Sequence, residues 1–210
     1  MLRRMLTFAA RSIIFRYIIY ANMKIAVYCS SRTGLPDEYT AVAEAVGRWI
    51  GSGGHSLIYG GVNAGLMHTV AQAAHDAGAR ITGIVPHCFT YRADPLVDEL
   101  VESANLSDRK AAMIDGADAF VVLPGGLGTI DEWLSTLSQL VVNTDSRRKI
   151  VVANIGGLFD STIRQIDQLA HSPLARSEML QMSLIAATAE ETVAILDAIA
   201  AAHNASACKC

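Results

Sequence analysis

The chain has few charged residues, and neither sign of charge dominates. Only 18% of its 210 residues are Asp, Glu, Lys or Arg, and the formal net charge is −3. A nucleic-acid-binding domain would carry a basic patch or stripe, and none is visible, so we expect no nucleic acid among the partners. Low charge together with 51% hydrophobic residues argues against disorder and predicts a well-buried core.

Cysteine is also scarce. The four cysteines are Cys29, Cys88, Cys208 and Cys210, and no two of them form a C-x-x-C pair. A disulfide framework is therefore not expected, and a reducing cytoplasmic location fits best. The closing Cys208-Lys209-Cys210 could bind a metal or carry a lipid, but its terminal position favours a loose tail, which we place at residues 203–210.

Long hydrophobic runs are absent as well, even in the unusual N-terminal segment. Residues 1–22 hold four arginines and no acidic residue, and their apolar runs are too short to span a bilayer, so we expect no stable membrane insertion. A targeting peptide and an amphipathic membrane-surface helix are two interpretations of this segment. An extension upstream of the functional start is favoured, because no small-residue cleavage site is clear and Met23 directly precedes an apolar strand.

From Met23 onward, short apolar runs alternate with helical patterns. The runs are apolar on both faces, which is typical of strands in a parallel sheet covered by helices on both sides. We predict a single Rossmann-like α/β domain over residues 23–202, with a doubly wound parallel sheet. The predicted strands are 24–29, 56–59, 81–85, 119–123, 149–152 and 184–187. The predicted helices are about 39–50, 65–77, 107–116, 130–141, 160–169 and 190–202, with a looser segment at 87–104.

The strand at 119–123 runs directly into a glycine-rich loop, Pro124-Gly125-Gly126-Leu127-Gly128-Thr129. Glycines let backbone N–H groups close around a small anion, and the helix that follows directs its positive dipole end at the same point. A second glycine turn, Gly60-Gly61, follows another strand. Since ligands of parallel sheets bind beyond the carboxyl ends of the strands, both turns are expected to face one phosphate-binding crevice.

Glu132 is expected in the first turn of the helix after this loop, beside whatever the loop holds. The alternative is a capping box, in which Thr129 caps the helix and Glu132 bonds back to the threonine N–H. The spacing of Thr188 and Glu191 repeats the pattern before the last helix without a glycine loop. The T-x-x-E spacing alone therefore indicates little about function.

Two adjacent cations, Arg109 and Lys110, are predicted at the start of a helix, where they oppose the helix dipole. This placement favours an anionic partner, and a solvated surface pair is the alternative. His68, His75 and His87 lack the spacing of a zinc site, so we expect core or surface histidines and no metal. No lysine lies in a recognisable Schiff-base context, so pyridoxal phosphate is not expected, and no cofactor is predicted.

Four segments, in this order, resemble the Lonely Guy family of cytokinin riboside 5′-monophosphate phosphoribohydrolases, which are often labelled lysine decarboxylases. Cys29-Ser30-Ser31 is similar to the family's first strand-to-helix turn, residues 59–67 to Y-G-G-G-x-x-G-L-M, residues 109–113 to R-K-x-x-M, and residues 124–132 to P-G-G-x-G-T-x-x-E. The resemblance extends over about Met23 to Ala200.

Three departures from the family's pattern surround the expected pocket. Val62 replaces the third glycine of Y-G-G-G, His68 replaces the glycine usual after G-L-M, and Leu106-Ser107-Asp108 replaces M-H-E before R-K. These changes leave the identity of the base open.

The resemblance implies a homodimer that cleaves the N-glycosidic bond of an N6-modified adenosine 5′-monophosphate (AMP), releasing a free base, a cytokinin, and ribose 5-phosphate. Under this implication Glu132 and Arg109 are the expected catalytic residues, with the carboxylate stabilising positive charge on the ribose. The expected substrate-binding residues are Gly125, Gly126, Gly128, Thr129, Lys110, Gly60, Gly61 and Ser31. The alternative is a non-catalytic carrier of a nucleotide or of molybdenum cofactor with the same fold.

Overall fold

A computed structural model describes residues 22–145 and 147–207 of the chain. Within these residues lie seven strands: β1 (Lys24–Tyr28), β2 (Ser56–Tyr59), β3 (Arg80–Pro86), β4 (Glu99–Ser103), β5 (Ala119–Val122), β6 (Ile150–Ala153) and β7 (Ser183–Ala186). The described α-helices are α1 (Asp37–Ser52), α2 (Gly65–Asp76), α3 (Leu106–Gly116), α4 (Leu127–Val142), α5 (Asp160–Ala170) and α6 (Ala189–Ala207). Residues 1–21 of the predicted extension lie outside the described residues, and so do Cys208 and Cys210.

The strands form one parallel sheet in the order β4-β3-β2-β1-β5-β6-β7. The chain therefore winds outward from β1 in one direction, returns, and winds outward from β5 in the other. β1 and β5 are neighbours, with Tyr28 paired to Val122 near their carboxyl ends. The loops that follow these two strands thus begin side by side at the switch in strand order, where such sheets bind ligands. The predicted doubly wound α/β fold is confirmed.

Two apolar clusters, one on each face of the sheet, hold the helices in place. The side chains of β1 alternate between them, because successive residues of a strand point to opposite faces. Ile25 and Val27 join the cluster that covers α1, α2 and α6, whereas Ala26 and Tyr28 join the cluster that covers α3, α4 and α5. No helix within residues 22–145 and 147–207 combines the length and hydropathy needed to cross a bilayer.

Two elements differ from the sequence-based prediction. The looser segment at 87–104 contains a strand, β4, which among the described strands pairs only with β3, at the edge of the sheet. Its sequence, Glu-Leu-Val-Glu-Ser, is largely exposed and so lacks the apolar pattern that marks the buried strands. Helix α6 continues to Ala207 rather than ending near Ala202, so residues 203–207 of the predicted tail are helical.

Candidate active site

Three loops meet at the carboxyl ends of β1, β2 and β5. The backbone N–H of Ser30 donates a hydrogen bond to the carbonyl of Pro124 at 3.1 Å, and the carbonyl of Ser30 accepts one from Met67 at 3.3 Å. The turn that contains Ser31 also packs against Gly65, whose φ is +54° and whose added Cβ would collide with this turn. The first turn is therefore bonded to both glycine-containing loops, and the predicted site residues on the three loops lie close together at this edge of the sheet.

The three glycines of the loop after β5 have different surroundings. A Cβ added to Gly125 would collide with the side chain of Thr129, which is only 3% exposed. Cβ atoms added to Gly126 and Gly128 would meet nothing within 4 Å, and both glycines are exposed. The first glycine is therefore required for packing inside the loop, whereas the other two border open space.

The predicted capping box at Thr129 and Glu132 does not form. Helix α4 begins at Leu127 with Gly126 as its N-cap and without a side-chain cap, so Glu132 lies in the second turn and not in the first. The first backbone N–H groups of α4 are thus left without a side-chain partner beside the open space at Gly126.

The matching pattern before α6 behaves differently. The hydroxyl of Thr188 accepts from the N–H of Glu191 at 3.1 Å, and the carboxylate of Glu191 accepts from the N–H of Ala187 at 2.7 Å. This is capping by both side chains. The same sequence pattern thus caps α6 but not α4. In α4 the acidic residue is free to make another contact.

That other contact is an ion pair between Glu132 and Arg109. The Nη2 atom of Arg109 lies 3.0 Å from Oε1 of Glu132, and the two side chains are 13% and 7% exposed. The Nε atom of Arg109 also donates to the carbonyl of Ile84 at 3.1 Å, which fixes the guanidinium at the carboxyl end of β3. A Cβ on Gly60 would collide with this guanidinium, so the second glycine turn leaves room for Arg109.

The ionisation of Glu132 is shifted into the neutral range. Burial and the nearby Asp131 together raise the pKa of Glu132 to about 7, although Arg109 and Lys110 act in the opposite direction. A carboxyl group with a pKa near the working pH can both accept and release a proton, as general acid–base catalysis requires.

Lys110 contacts the protein rather than open space. Its Nζ atom lies 2.8 and 2.7 Å from the two carboxylate oxygens of Asp131 and 3.1 Å from the hydroxyl of Ser135. Sequence reasoning did not identify Asp131 or Ser135. A sequence signal for Asp131 was available. Two adjacent cations, Arg109-Lys110, on one predicted helix could pair with two adjacent acids, Asp131-Glu132, on the next.

A buried hydroxyl pair supports the turn that carries Glu132. The Thr136 hydroxyl donates to the carbonyl of Glu132 at 2.8 Å and lies 2.9 Å from the hydroxyl of Tyr28, which must therefore be the donor between them. Burial raises the pKa of Tyr28 and of Cys29, so both side chains stay neutral beside the ion pair. Neither residue carries a sequence motif that would have identified it.

Two of the departures from the family pattern lie together around the second glycine turn. Nδ1 of His68 lies 2.8 Å from the buried carboxylate of Asp94, and the Asp94 N–H donates to the carbonyl of Gly61 at 2.8 Å. Val62 forms an antiparallel bridge with Ala93. The turn is therefore joined to the segment after β3.

The other two histidines singled out in the sequence have acidic neighbours at the surface. Nδ1 of His75 lies 3.3 Å from Asp76, and Nδ1 of His87 lies 2.8 Å from Glu102. No group of three metal-binding side chains is found in the part of the chain that the structure describes.

Comparison with known proteins identifies the family of the chain. Residues 67–196 match a family model described as possible lysine decarboxylase. The chain is 33% identical over 190 residues to cytokinin riboside 5′-monophosphate phosphoribohydrolase LOG3 of Arabidopsis thaliana, which covers 89% of this chain and 87% of that protein. It is 32% identical over 179 residues to the phosphoribohydrolase LOG of Oryza sativa subsp. japonica, covering 83% and 72%.

Solved structures with the same fold have lower identity. The molybdenum cofactor binding protein of the phototrophic bacterium Rippkaea orientalis has a TM-score of 0.68 and 20% identity over 85% of this chain and 97% of that one. The molybdenum cofactor carrier protein of Chlamydomonas reinhardtii has a TM-score of 0.66 and 18% identity over 86% and 99%. These likenesses show the fold alone. The family model and the curated relatives, with the motifs at residues 59–67, 109–113 and 124–132, show that the chain belongs to the Lonely Guy family of phosphoribohydrolases.

Proposed function

We propose that this protein hydrolyses the N-glycosidic bond of an N6-modified adenosine 5′-monophosphate to a free base and ribose 5-phosphate. The observation that carries the proposal is the buried ion pair of Glu132 and Arg109 beside the glycine loop at the switch in strand order. A carboxylate close to a glycine loop at a helix N-terminus is an arrangement that suits a reaction on a phosphorylated ribose. The named phosphoribohydrolases among the relatives support the same reaction class.

Glu132 is proposed to act on the ribose. As the bond between C1′ and the base nitrogen breaks, its electron pair stays with the base and positive charge builds on C1′ and the ring oxygen. An ionised Glu132 stabilises that charge and takes a proton from the water whose oxygen bonds to C1′. The base takes up a proton from solvent water and leaves as the neutral molecule, and Glu132 then returns its proton to solvent.

Arg109 is proposed to stabilise negative charge, either on the phosphate or on the departing base. Its guanidinium is held by Ile84 and Glu132, so it is already oriented before substrate arrives.

The exposed N–H groups near Gly126 and Gly128, at the start of α4, are proposed to bind the 5′-phosphate. Thr129 lies beneath the loop and would support it from there. The positions of Gly60, Gly61 and Ser31 around the crevice favour contacts to the rest of the nucleotide.

A homodimer, implied by the family resemblance, completes the proposal. An apolar groove of about 560 Å³ lies between α4, α5 and the segment after α5. Exposed Leu134, Val142 and Leu174 line it, and a second copy of the chain would remove these side chains from water.

Cys29 and Cys88 are both free thiols, which suits the reducing cytoplasm that we propose as the location.

The direct test is to incubate the purified protein with AMP and with isopentenyladenosine 5′-monophosphate and to measure the free base. We expect release from at least one of them, and from neither with Glu132→Gln. The Gln variant keeps a hydrogen-bonding side chain of the same size, so its nucleotide binding should remain. If no nucleoside monophosphate releases base while nucleotide or molybdenum cofactor binds tightly, the carrier function replaces the hydrolase.

A further inference from the structure

The ammonium group of Lys110 is already paired within the protein. Its Nζ atom lies 2.8 and 2.7 Å from the two carboxylate oxygens of Asp131 and 3.1 Å from the hydroxyl of Ser135. The Lys110 side chain is 22% exposed, so water has limited access to it. A phosphate at this ammonium would have to compete with a carboxylate that already pairs with it.

The pair repeats the contact beside it. Arg109 and Lys110 are consecutive on α3, and they pair with Glu132 and Asp131, which are consecutive on α4. Consecutive residues of a helix point about 100° apart. The pair of Arg109 and Glu132 is consequently buried towards the sheet. The pair of Lys110 and Asp131 lies at the surface between the helices, where Asp131 is exposed.

We propose that Lys110 is a positioning residue, which holds Asp131 and the early turns of α4 and so sets the position and electrostatic surroundings of Glu132, rather than a ligand of the substrate phosphate. This inference rests on the proposed function of Glu132. It departs from the role that the sequence suggested for Lys110, which was a supporting charge in substrate binding.

The groups facing Glu132 decide which way its ionisation responds. The last residue of β1, Tyr28, and the next residue, Cys29, stay neutral because burial raises the pKa of each. The α3 residues Arg109 and Lys110 lower the pKa of Glu132, and its own neighbour on α4, Asp131, raises it. Loss of Lys110 alone would leave the negative charge of Asp131 uncompensated. Loss of the charges of both Lys110 and Asp131 would remove two opposite effects on the pKa of Glu132.

The test compares Lys110→Met, Asp131→Asn and the double variant in the full-length protein, with kcat measured against pH. We expect the acid limb of Lys110→Met to move up by about half a pH unit, because Asp131 is partly screened by water. The limb of Asp131→Asn should move down, and the double variant should lie close to the unmodified protein. Lys110→Arg keeps a cation opposite Asp131 and should keep the limb in place. A limb that stays fixed in all four variants would overturn the inference.

A phosphate ligand would give a different result. The preference for a nucleoside monophosphate over the same nucleoside, expressed as a ratio of kcat/KM, should change less than about threefold in Lys110→Met. A charged phosphate contact is typically stronger than this, at roughly 1.5–3 kcal/mol, or at least tenfold. A loss of the preference by tenfold or more without a shift of the pH limb would assign Lys110 to the phosphate.

Failure of the proposed hydrolysis would be visible separately. It would appear as an inactive unmodified protein, and the titration of Glu132 would then be followed by NMR of 13C-carboxyl-labelled glutamate, with Glu132→Gln identifying the signal. The same opposite shifts in Lys110→Met and Asp131→Asn are expected in this measurement. Equal titration in every variant would overturn the role of Lys110 without reference to turnover.

Discussion

The side chain of Thr129 occupies the space that a methyl group on Gly125 would need. Thr129 is buried, and as a β-branched residue it has few alternative rotamers with which to make room. The first glycine of the loop is therefore fixed by packing within the protein. The open space next to Gly126 and Gly128 lacks such a neighbour, which points to a ligand as the reason for those glycines.

Alanine at each of the three positions separates these two reasons. Gly125→Ala should lower the free energy of unfolding by about 1–3 kcal/mol through overpacking. Gly126→Ala and Gly128→Ala should change it by less than about 1 kcal/mol, yet weaken nucleotide binding, since the new methyl group would enter the proposed phosphate space. Denaturant unfolding and nucleotide titration of the three variants provide the check. Unchanged nucleotide affinity in both of the latter variants would contradict phosphate binding at this loop.

The activity should depend on the ionisation of Glu132. Because burial raises its pKa to about 7, the ionised form that the mechanism needs becomes dominant only above that pH. We expect kcat to rise about tenfold per pH unit below pH 7 and to level off above it. Substrate phosphate also titrates, near pH 6. A limb that moves in Asp131→Asn belongs to Glu132, whereas a flat profile between pH 5 and 8 would exclude Glu132 as the titrating group.

The same raised pKa should make the buried carboxyl group a cost to stability at neutral pH. The folded state holds this proton more tightly than the unfolded chain does, so stability from this group is complete below the ordinary glutamate pKa and declines as pH rises towards 7. Glu132→Gln does not titrate and should avoid the decline. The stability gained by this variant over the unmodified protein, measured as the difference in free energy of unfolding, should be about 2 kcal/mol larger at pH 8 than at pH 5. An equal difference at the two pH values would show that burial of Glu132 is not the dominant effect.

Gly60 is expected to act through Arg109. An added Cβ would collide with the guanidinium of Arg109 and the side chain of Met67 rather than with backbone, so Gly60→Ala should fold but displace the guanidinium from Glu132. We expect kcat to fall at least tenfold. In an Arg109→Met background the same change should have little further effect, since the affected contact is already gone. Additive losses in the double variant would mean that Gly60 contributes independently of Arg109.

The apolar groove predicts a dependence of assembly on two exposed residues. Val142→Glu and Leu174→Glu place a charge on this surface and should shift a dimer towards monomer, as measured by analytical ultracentrifugation. Leu100→Glu is the control, because Leu100 is also an exposed apolar residue but lies on β4, away from the groove. A monomeric unmodified protein, or dimers that withstand both groove changes, would contradict this surface as the interface.

Sequence patterns were sufficient for most of the fold because the central strands are uniformly apolar. Ala119–Val122 and Ile150–Ala153 are buried throughout and are bounded by turn residues, so periodicity and length identify them. β4 escaped prediction because an edge strand with two glutamates has neither feature. The glycine loops could be placed at one crevice because parallel strands align their carboxyl ends.

The details of the site depended on three-dimensional contacts that no local pattern contains. The spacing of Thr129 and Glu132 fits a capping box, yet the helix starts three residues earlier than such a box requires, and Glu132 contacts Arg109 instead. The approach of α3 to α4 decides this choice, and it also takes Lys110 to Asp131. Thr136 and Tyr28 are far apart in sequence, and their contact follows from the packing of α4 on the sheet.

β4 also limits how copies of this protein can meet. Among the described residues its outer edge has no partner strand, so backbone groups there could pair with a strand of another molecule, but Glu99 and Glu102 lie along this edge. Two such edges brought together would place carboxylates of one molecule near those of the other, and this repulsion disfavours growth of the sheet from one molecule into the next. The proposed dimer would consequently form through the helical faces, where two copies can meet and assembly can stop.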